Sequence, residues 1–158
     1  MELETRSAPP GDVIPNGRYP VQIYHGVDVS DARGLFASHG WGGSWVDGVF
    51  DFHHFHSTSH EALAVVAGAA TLELGGPQGE AFDVAAGDVL VLPAGTGHRR
   101  ATARDGFTVV GAYPAGQERY DLLRGESAVE VAAARERIAA LGAPPEDPVG
   151  GEGVAGWA

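Results

Sequence analysis

Two stretches of the sequence decide the fold: GVFDFHHFHSTSHEALAVVAG at residues 48–68 and GDVLVLPAGTGH at residues 87–98. Each contains a short run of Val, Leu or Phe that ends at glycine or proline, which is typical of β-strands joined by tight turns. Runs of the same kind recur at residues 21–24, 49–56, 61–67, 71–74, 81–84, 89–92 and 107–113. This pattern predicts an all-β sandwich or barrel.

The first stretch is unusually rich in metal-binding side chains. Four histidines fall within eight residues and are followed by a glutamate: His53, His54, His56, His60 and Glu61. Because side chains alternate between the two faces of a strand, His54 and His56 are expected on the inner face, with Phe50 and Phe52 in the core beside them. His53 is then expected on the other face.

Glu61 opens the next predicted strand, after the turn at residues 57–59. It shares a face with Leu63 and Val65, which directs its carboxylate inward and leaves His60 pointing outward or toward a ligand as a supporting residue. The second stretch ends at His98, which opens a strand after a tight turn.

Three imidazoles and one carboxylate form a nitrogen and oxygen donor set. His54, His56, Glu61 and His98 are therefore predicted to bind one divalent transition metal ion, which is Fe, Mn, Ni, Zn or Cu. The alternative is a buried polar cluster without metal, in which each imidazole lacking a partner would cost about 1–3 kcal/mol.

Arg100 has the same strand parity as His98, so its guanidinium is expected to enter the cavity beside the metal. A guanidinium binds a carboxylate through two parallel hydrogen bonds, which makes Arg100 the candidate catalytic residue that holds the substrate. The alternative is a surface arginine at the barrel rim.

The spacing of these residues resembles the two sequence motifs of the cupins. The first is Gly48-x5-His54-x-His56-x4-Glu61-x6-Gly68 and the second is Gly87-x5-Pro93-x-Gly95-x2-His98. Thr102 stands where the second motif usually ends in Asn, a position that is not a ligand in the family. Further segments, among them GWGGSW at residues 40–45 and VVGAYP at residues 109–114, are similar to a group of single-domain bacterial cupins, the YjlB-like proteins. The resemblance implies a jelly-roll β-barrel that binds a metal, and it implies no particular substrate.

Two segments outside the strand pattern are predicted to be helical. Residues 31–38 form a short N-terminal helix with Ser30 as its cap. Residues 127–141 form a second helix, since Ser127 and Glu130 have capping-box spacing.

The whole chain, residues 1–158, is expected to form one cupin domain. The barrel core is placed at about residues 20–115 and a helical C-terminal extension at about residues 120–158. Trp157 is the only large anchor of the tail, which either packs back on the barrel or frays.

Composition excludes several classes of protein. The chain has no Cys, and all 10 of its basic residues are Arg, so thiolate metal sites and lysine-based catalysis are absent. A formal net charge of -11 disfavours nucleic acid and anionic membranes as partners. The N-terminus is polar and acidic rather than basic and apolar, so a cytoplasmic location is expected.

Function is expected at the metal. The leading hypothesis is a metal-dependent enzyme of the dioxygenase, isomerase or lyase type, acting on a small oxygen-rich or carboxylate-bearing molecule. The alternative is a non-catalytic module that binds or senses a small ligand. A homodimer is also predicted, with residues 21–24 as a sheet edge that a second copy covers.

Overall fold

The structure, a computed structural model, describes residues 1–158. Its elements in chain order are β1 (Glu2–Arg6), β2 (Val21–His25), α1 (Ala32–Ser38), β3 (Trp41–Asp47), β4 (Glu61–Leu74), β5 (Glu80–Ala85), β6 (Val89–Leu92), β7 (His98–Pro114) and α2 (Ala128–Ala140). Neither helix is both long and apolar enough to cross a membrane.

All seven strands belong to one antiparallel sheet, in the order β1-β2-β6-β4-β7-β3, with β5 paired to β4. The long strands β4 and β7 pair along most of their length, and their register shifts at several points, including between Val65 and Ala67. Such irregularities bend and twist a sheet, which allows it to curl and close. The predicted all-β jelly-roll barrel is confirmed.

Strand β4 shows how the sequence sets the inside and the outside of the barrel. Leu63 and Val65 belong to the interior cluster, together with residues of β2, β6 and β7. Ala62 and Ala64 face the opposite way and pack in a second cluster that includes Phe36 of α1. Since Glu61 has the parity of Leu63, the strand directs the glutamate into the barrel, as predicted.

The segment at residues 49–56 is not the regular strand that the sequence predicted. It is held at separate points: Phe50 O accepts from Arg100 N at 2.9 Å, His54 exchanges backbone hydrogen bonds with His98, and His56 O accepts from Gly95 N at 2.8 Å. Phe50 lines the same cavity as His54 and His56, but it is 52% exposed and Phe52 is only half-buried, so the prediction that both lie in the core is wrong.

The predicted sheet edge at residues 21–24 is also wrong. Strand β2 pairs with β1 on one side and β6 on the other, so its backbone groups are already satisfied. The edge is β1, whose sequence ELETR is charged and largely exposed. Charged side chains on an edge strand oppose pairing with a second copy, so the homodimer remains a prediction without this support.

The two helices confirm the predicted helical segments, with one change of cap. Asp31, rather than Ser30, caps α1 and accepts from Gly34 N. Ser127 caps α2 and accepts from Glu130 N at 3.1 Å, as the capping box predicts. The apolar side of α2 packs against Phe55, on the face of the 49–56 segment opposite to the cavity.

The tail beyond α2 is irregular rather than helical, and it packs back on the barrel. Trp157 stacks on Tyr19 with ring centroids 5.2 Å apart and donates from Nε1 to Pro20 O at 2.7 Å. Asp147 is buried and accepts a 2.6 Å hydrogen bond from the Tyr24 hydroxyl. The tail therefore covers the outer face of the sheet.

Candidate metal centre

Three histidine side chains lie close together on the wall of one cavity. His98 is the first residue of β7, and His54 pairs with it as an isolated bridge, which brings their ring centroids to 4.0 Å. His56 follows two residues later, and one ring nitrogen from each histidine lies within 4.8 Å of the other two. All three side chains are buried.

Each imidazole is oriented by a hydrogen bond between its Nδ1 and a backbone carbonyl. The acceptors are Phe52 O for His54 at 2.9 Å, Thr96 O for His98 at 3.0 Å and Asp121 O for His56 at 2.5 Å. A carbonyl can only accept, so Nδ1 carries the proton in every ring. In the neutral imidazole the lone pair is therefore on Nε2, which is the arrangement a metal ligand requires.

Glu61 lies beside two of the three histidines. Its Oε1 lies 3.1 Å from His98 Nε2, and its Oε2 lies 3.5 Å from His56 Nε2. The Tyr113 hydroxyl donates to Oε2 at 2.7 Å and accepts from Trp45 Nε1 at 2.7 Å. Burial, followed by the charge of Glu61, raises the pKa of Tyr113, so its hydroxyl remains a donor.

The electrostatics of the cluster favour a cation. Burial, followed by the neighbouring His98, lowers the pKa of His54 to about 3. Burial opposes the charge of Glu61, but His56 and His98 outweigh it and hold the pKa of the carboxyl well below its usual range. Burial also opposes a charge on His56, but Glu61 outweighs it and raises the pKa of that imidazole.

A buried carboxylate thus lies close to two imidazole nitrogens, His98 Nε2 at 3.1 Å and His56 Nε2 at 3.5 Å. At such distances the oxygen and an imidazole lone pair would repel each other in a buried site unless a positive charge lay between them. A shared proton or a bound cation removes that repulsion. The donors therefore fit a divalent transition metal ion, for which three imidazole nitrogens and one carboxylate oxygen are suitable ligands.

The donors lie at the bottom of a cavity of about 610 Å³. Arg100 lines this cavity, as its parity with His98 predicts, and its side chain is 37% exposed. Its only carboxylate neighbour is Asp51, with NH2 and Oδ2 4.0 Å apart, so the guanidinium has no close ion pair that would occupy it. Its role toward a substrate remains a prediction.

The other two histidines of the first stretch do not join the cluster. His53 lies beside Glu73, with Nε2 3.4 Å from Oε2, and burial lowers its pKa. His60, predicted to point outward or to support a ligand, is instead buried at 1% exposure, where its Nδ1 accepts from Ala94 N and its Nε2 donates to Gly142 O, each at 2.9 Å. It connects the start of β4 to the chain beyond α2.

Sequence reasoning missed the residues that hold the candidate ligands in place, Tyr113 and Asp121. The Asp121 carboxylate accepts from Ser57 N at 2.7 Å and from Ser57 Oγ at 2.5 Å, while its backbone oxygen accepts from His56. Arg137 of α2 donates from Nε to Ser57 Oγ at 2.8 Å. Asp121 is 65 positions from His56 in the sequence, and no local pattern links the two.

Comparison with known proteins identifies the family to which the chain belongs. Residues 45–110 match the family model described as Cupin domain. The chain is also 37% identical over 158 residues to the uncharacterized protein YjlB of Bacillus subtilis (strain 168), covering 96% of this chain and 94% of the relative. The chain therefore belongs to the cupins, and within them to the YjlB-like group.

Solved structures with a similar fold are more distant. Acireductone dioxygenase from Bacillus anthracis, which holds a cadmium ion in its active centre, is 20% identical with a TM-score of 0.38, covering 54% of this chain and 57% of its own. A mutant oxalate decarboxylase from Bacillus subtilis is 20% identical with a TM-score of 0.43, covering 72% of this chain and 30% of its own. The chain thus spans little more than half of the first structure and less than a third of the second, and these scores carry no information about its activity.

Proposed function

We propose that His54, His56, Glu61 and His98 bind one divalent transition metal ion, and that the protein is a metal-dependent enzyme. The observation that carries the proposal is the common orientation of the three imidazoles. Each has its Nδ1 proton bound to a carbonyl and its Nε2 directed toward the shared centre, beside a buried carboxylate. When bound, the ion would supply Lewis-acid or redox chemistry of the dioxygenase, isomerase or lyase type.

The residues of the chain support this chemistry in three ways. The Tyr113 hydroxyl holds one carboxylate oxygen of Glu61, which fixes the orientation of the carboxylate toward the histidines. The three imidazoles and Glu61 are buried, which strengthens electrostatic interactions between them. Arg100 supplies a positive charge on the wall of the same cavity, where it would bind a carboxylate of the substrate and orient it toward the ligands.

The substrate class follows from this arrangement of charges. The chain carries a net charge of -11, and a free guanidinium near the centre is the feature that attracts an anion. A small carboxylic acid or an oxygen-rich molecule that contacts both the centre and Arg100 is held at two points. A reaction at the carbon next to the substrate carboxylate requires such a fixed orientation.

Reconstitution followed by turnover assays tests the proposal. The metal-free protein would be loaded separately with Fe(II), Mn(II), Ni(II), Cu(II) and Zn(II), and each form assayed with a panel of 2-oxo and 2-hydroxy acids for oxygen consumption and for product. We expect turnover with at least one metal, and weaker carboxylate binding in Arg100→Lys at unchanged metal content, because lysine lacks the planar fork. Tight carboxylate binding without turnover in any form would contradict the enzyme and identify a binding module.

A further inference from the structure

We propose that the substrate carries an apolar, preferably aromatic, portion that rests on a hydrophobic collar at the mouth of the cavity. This inference rests on the proposed function, since it extends the substrate of the same site. The collar consists of Val46, Phe50, Tyr120 and Leu122, all of which line the cavity that contains the metal centre.

The distribution of exposed hydrophobic side chains carries the argument. The structure has eight large hydrophobic residues with exposed surfaces, and four of them form the collar, with exposures of 51% for Val46, 52% for Phe50, 38% for Tyr120 and 40% for Leu122. The collar residues come from two segments that are more than 60 residues apart in the sequence. Several exposed apolar side chains around one cavity are typical of a binding surface, whereas single exposed hydrophobic residues are ordinary.

The collar is built rigidly, so it does not collapse to hide its surface. The Tyr120 ring stacks on Tyr113 with centroids 4.2 Å apart, and Phe50 stacks on Phe52 at 4.8 Å. The segment that carries Tyr120 and Leu122 is fixed between them by Asp121, through its hydrogen bonds to Ser57. A preformed apolar surface binds a ligand without the entropic cost of ordering a flexible one.

Polarity changes along the cavity from its bottom to its mouth. The buried imidazoles and Glu61 lie at the bottom, and Arg100 lines the wall with a partly exposed side chain. The collar begins beside the imidazoles, where the Tyr120 ring lies 5.0 Å from that of His56 and the Phe50 ring 5.4 Å from that of His54, and its exposed faces extend toward solvent. A ligand complementary to this gradient has a carboxylate or other oxygen-bearing end inside and an apolar end at the collar.

The size of the cavity agrees with such a ligand. At about 30 Å³ for each water molecule, a volume of about 610 Å³ holds about 20 waters. An acid of two or three carbons would leave most of this space to water and would cover little of the collar. An acid with a phenyl-sized extension would fill more of it and cover the exposed rings.

Two probe acids that share a carboxylate test the inference: 3-phenylpropanoate and propanoate. Their dissociation constants would be measured by calorimetry on the purified protein, with metal content determined in the same samples. We expect 3-phenylpropanoate to bind at least about tenfold more tightly, which is the gain from burying a side chain of this size. A ratio near one would overturn the inference.

Substitutions locate the preference at the collar. Phe50→Ser and Leu122→Ser should reduce the ratio of the two constants, while Val129→Ser, which changes a residue on α2 that is 82% exposed and outside the cavity, should leave it unchanged. The collar side chains are exposed, so these variants are expected to fold, and thermal melting would verify this. An unchanged ratio in both collar variants would overturn the inference. Self-association of the wild type that these substitutions abolish would also overturn it, since the collar would then bind a second copy of the chain.

The same data separate failure of the inference from failure of the proposed function. Bound metal with a ratio near one would refute the collar and leave the metal site intact. A protein without metal that retained the phenyl preference would refute the metal-dependent enzyme, and the collar would stand as a binding surface only.

Discussion

Replacement of Tyr113 by Phe tests how Glu61, a proposed metal ligand, is held. The Tyr113 hydroxyl donates to Glu61 Oε2 at 2.7 Å and accepts from Trp45 Nε1 at 2.7 Å, and the phenyl ring of the variant keeps the packing. A hydrogen bond to a charged group contributes about 1.5–3 kcal/mol, which corresponds to about 10–100-fold in affinity. Loss of a residue that orients a metal ligand has a cost of the same size, about 10–100-fold.

The assay for this variant is competition with a chelator of known affinity for Zn(II), at neutral pH. Tyr24→Phe is the matched control, because the Tyr24 hydroxyl also donates to a buried carboxylate, that of Asp147, but lies outside the cavity. We expect Tyr113→Phe to weaken zinc binding by about 10–100-fold and Tyr24→Phe to reduce thermal stability alone. Zinc affinity equal to that of the wild type in Tyr113→Phe would refute the role given to this hydroxyl.

Two further substitutions test the support of the site and of the sheet edge. Asp121→Ala removes the acceptor of Ser57 N and Ser57 Oγ. We expect a loss of about 1–3 kcal/mol in unfolding free energy together with weaker metal binding. Normal metal affinity would contradict the idea that Asp121 helps to position His56. His25 has a raised pKa because Glu4 and Asp88 hydrogen-bond to its ring. Its stabilising contribution is therefore complete below the unfolded pKa of about 6.5 and is lost as the pH rises through the higher folded value. Melting temperatures should show His25→Gln destabilised at acidic pH and close to the wild type at alkaline pH, and a difference independent of pH would contradict the sign.

The sequence predicts a feature reliably where a regular strand or helix enforces its period. Glu61 points inward because β4 is a true strand in which Leu63 and Val65 mark the inner face. The helix α2 begins after Ser127 because the capping serine has a geometry that the sequence encodes locally. The motif spacing also brings His54, His56 and His98 together, since the turn before His98 places it opposite His54.

The remaining features depend on contacts between distant segments. Phe50 was expected in the core, but the 49–56 segment bonds to β7 only at separate points and leaves this ring at the cavity mouth. The edge at residues 21–24 is covered by β1, whose charged sequence pairs through its backbone and gives no hydrophobic signal. Asp121 and Tyr113 act on ligands more than 50 residues away, which no local period reveals.

Metal content per chain shows whether the histidine cluster binds an ion. The wild type and the variants His56→Ala, His98→Ala and His53→Ala would be purified in parallel, confirmed as folded by circular dichroism, reconstituted with Zn(II) or Fe(II) and analysed by mass spectrometry of the elements. His53 is the control because it lies in the same segment but contacts Glu73 rather than the cluster. The structure predicts about one ion per chain in the wild type and in His53→Ala, and loss of most of the ion in the other two, since each removes one of the ligating imidazoles. Full occupancy in folded His56→Ala and His98→Ala, or no metal in the reconstituted wild type, would contradict the metal centre.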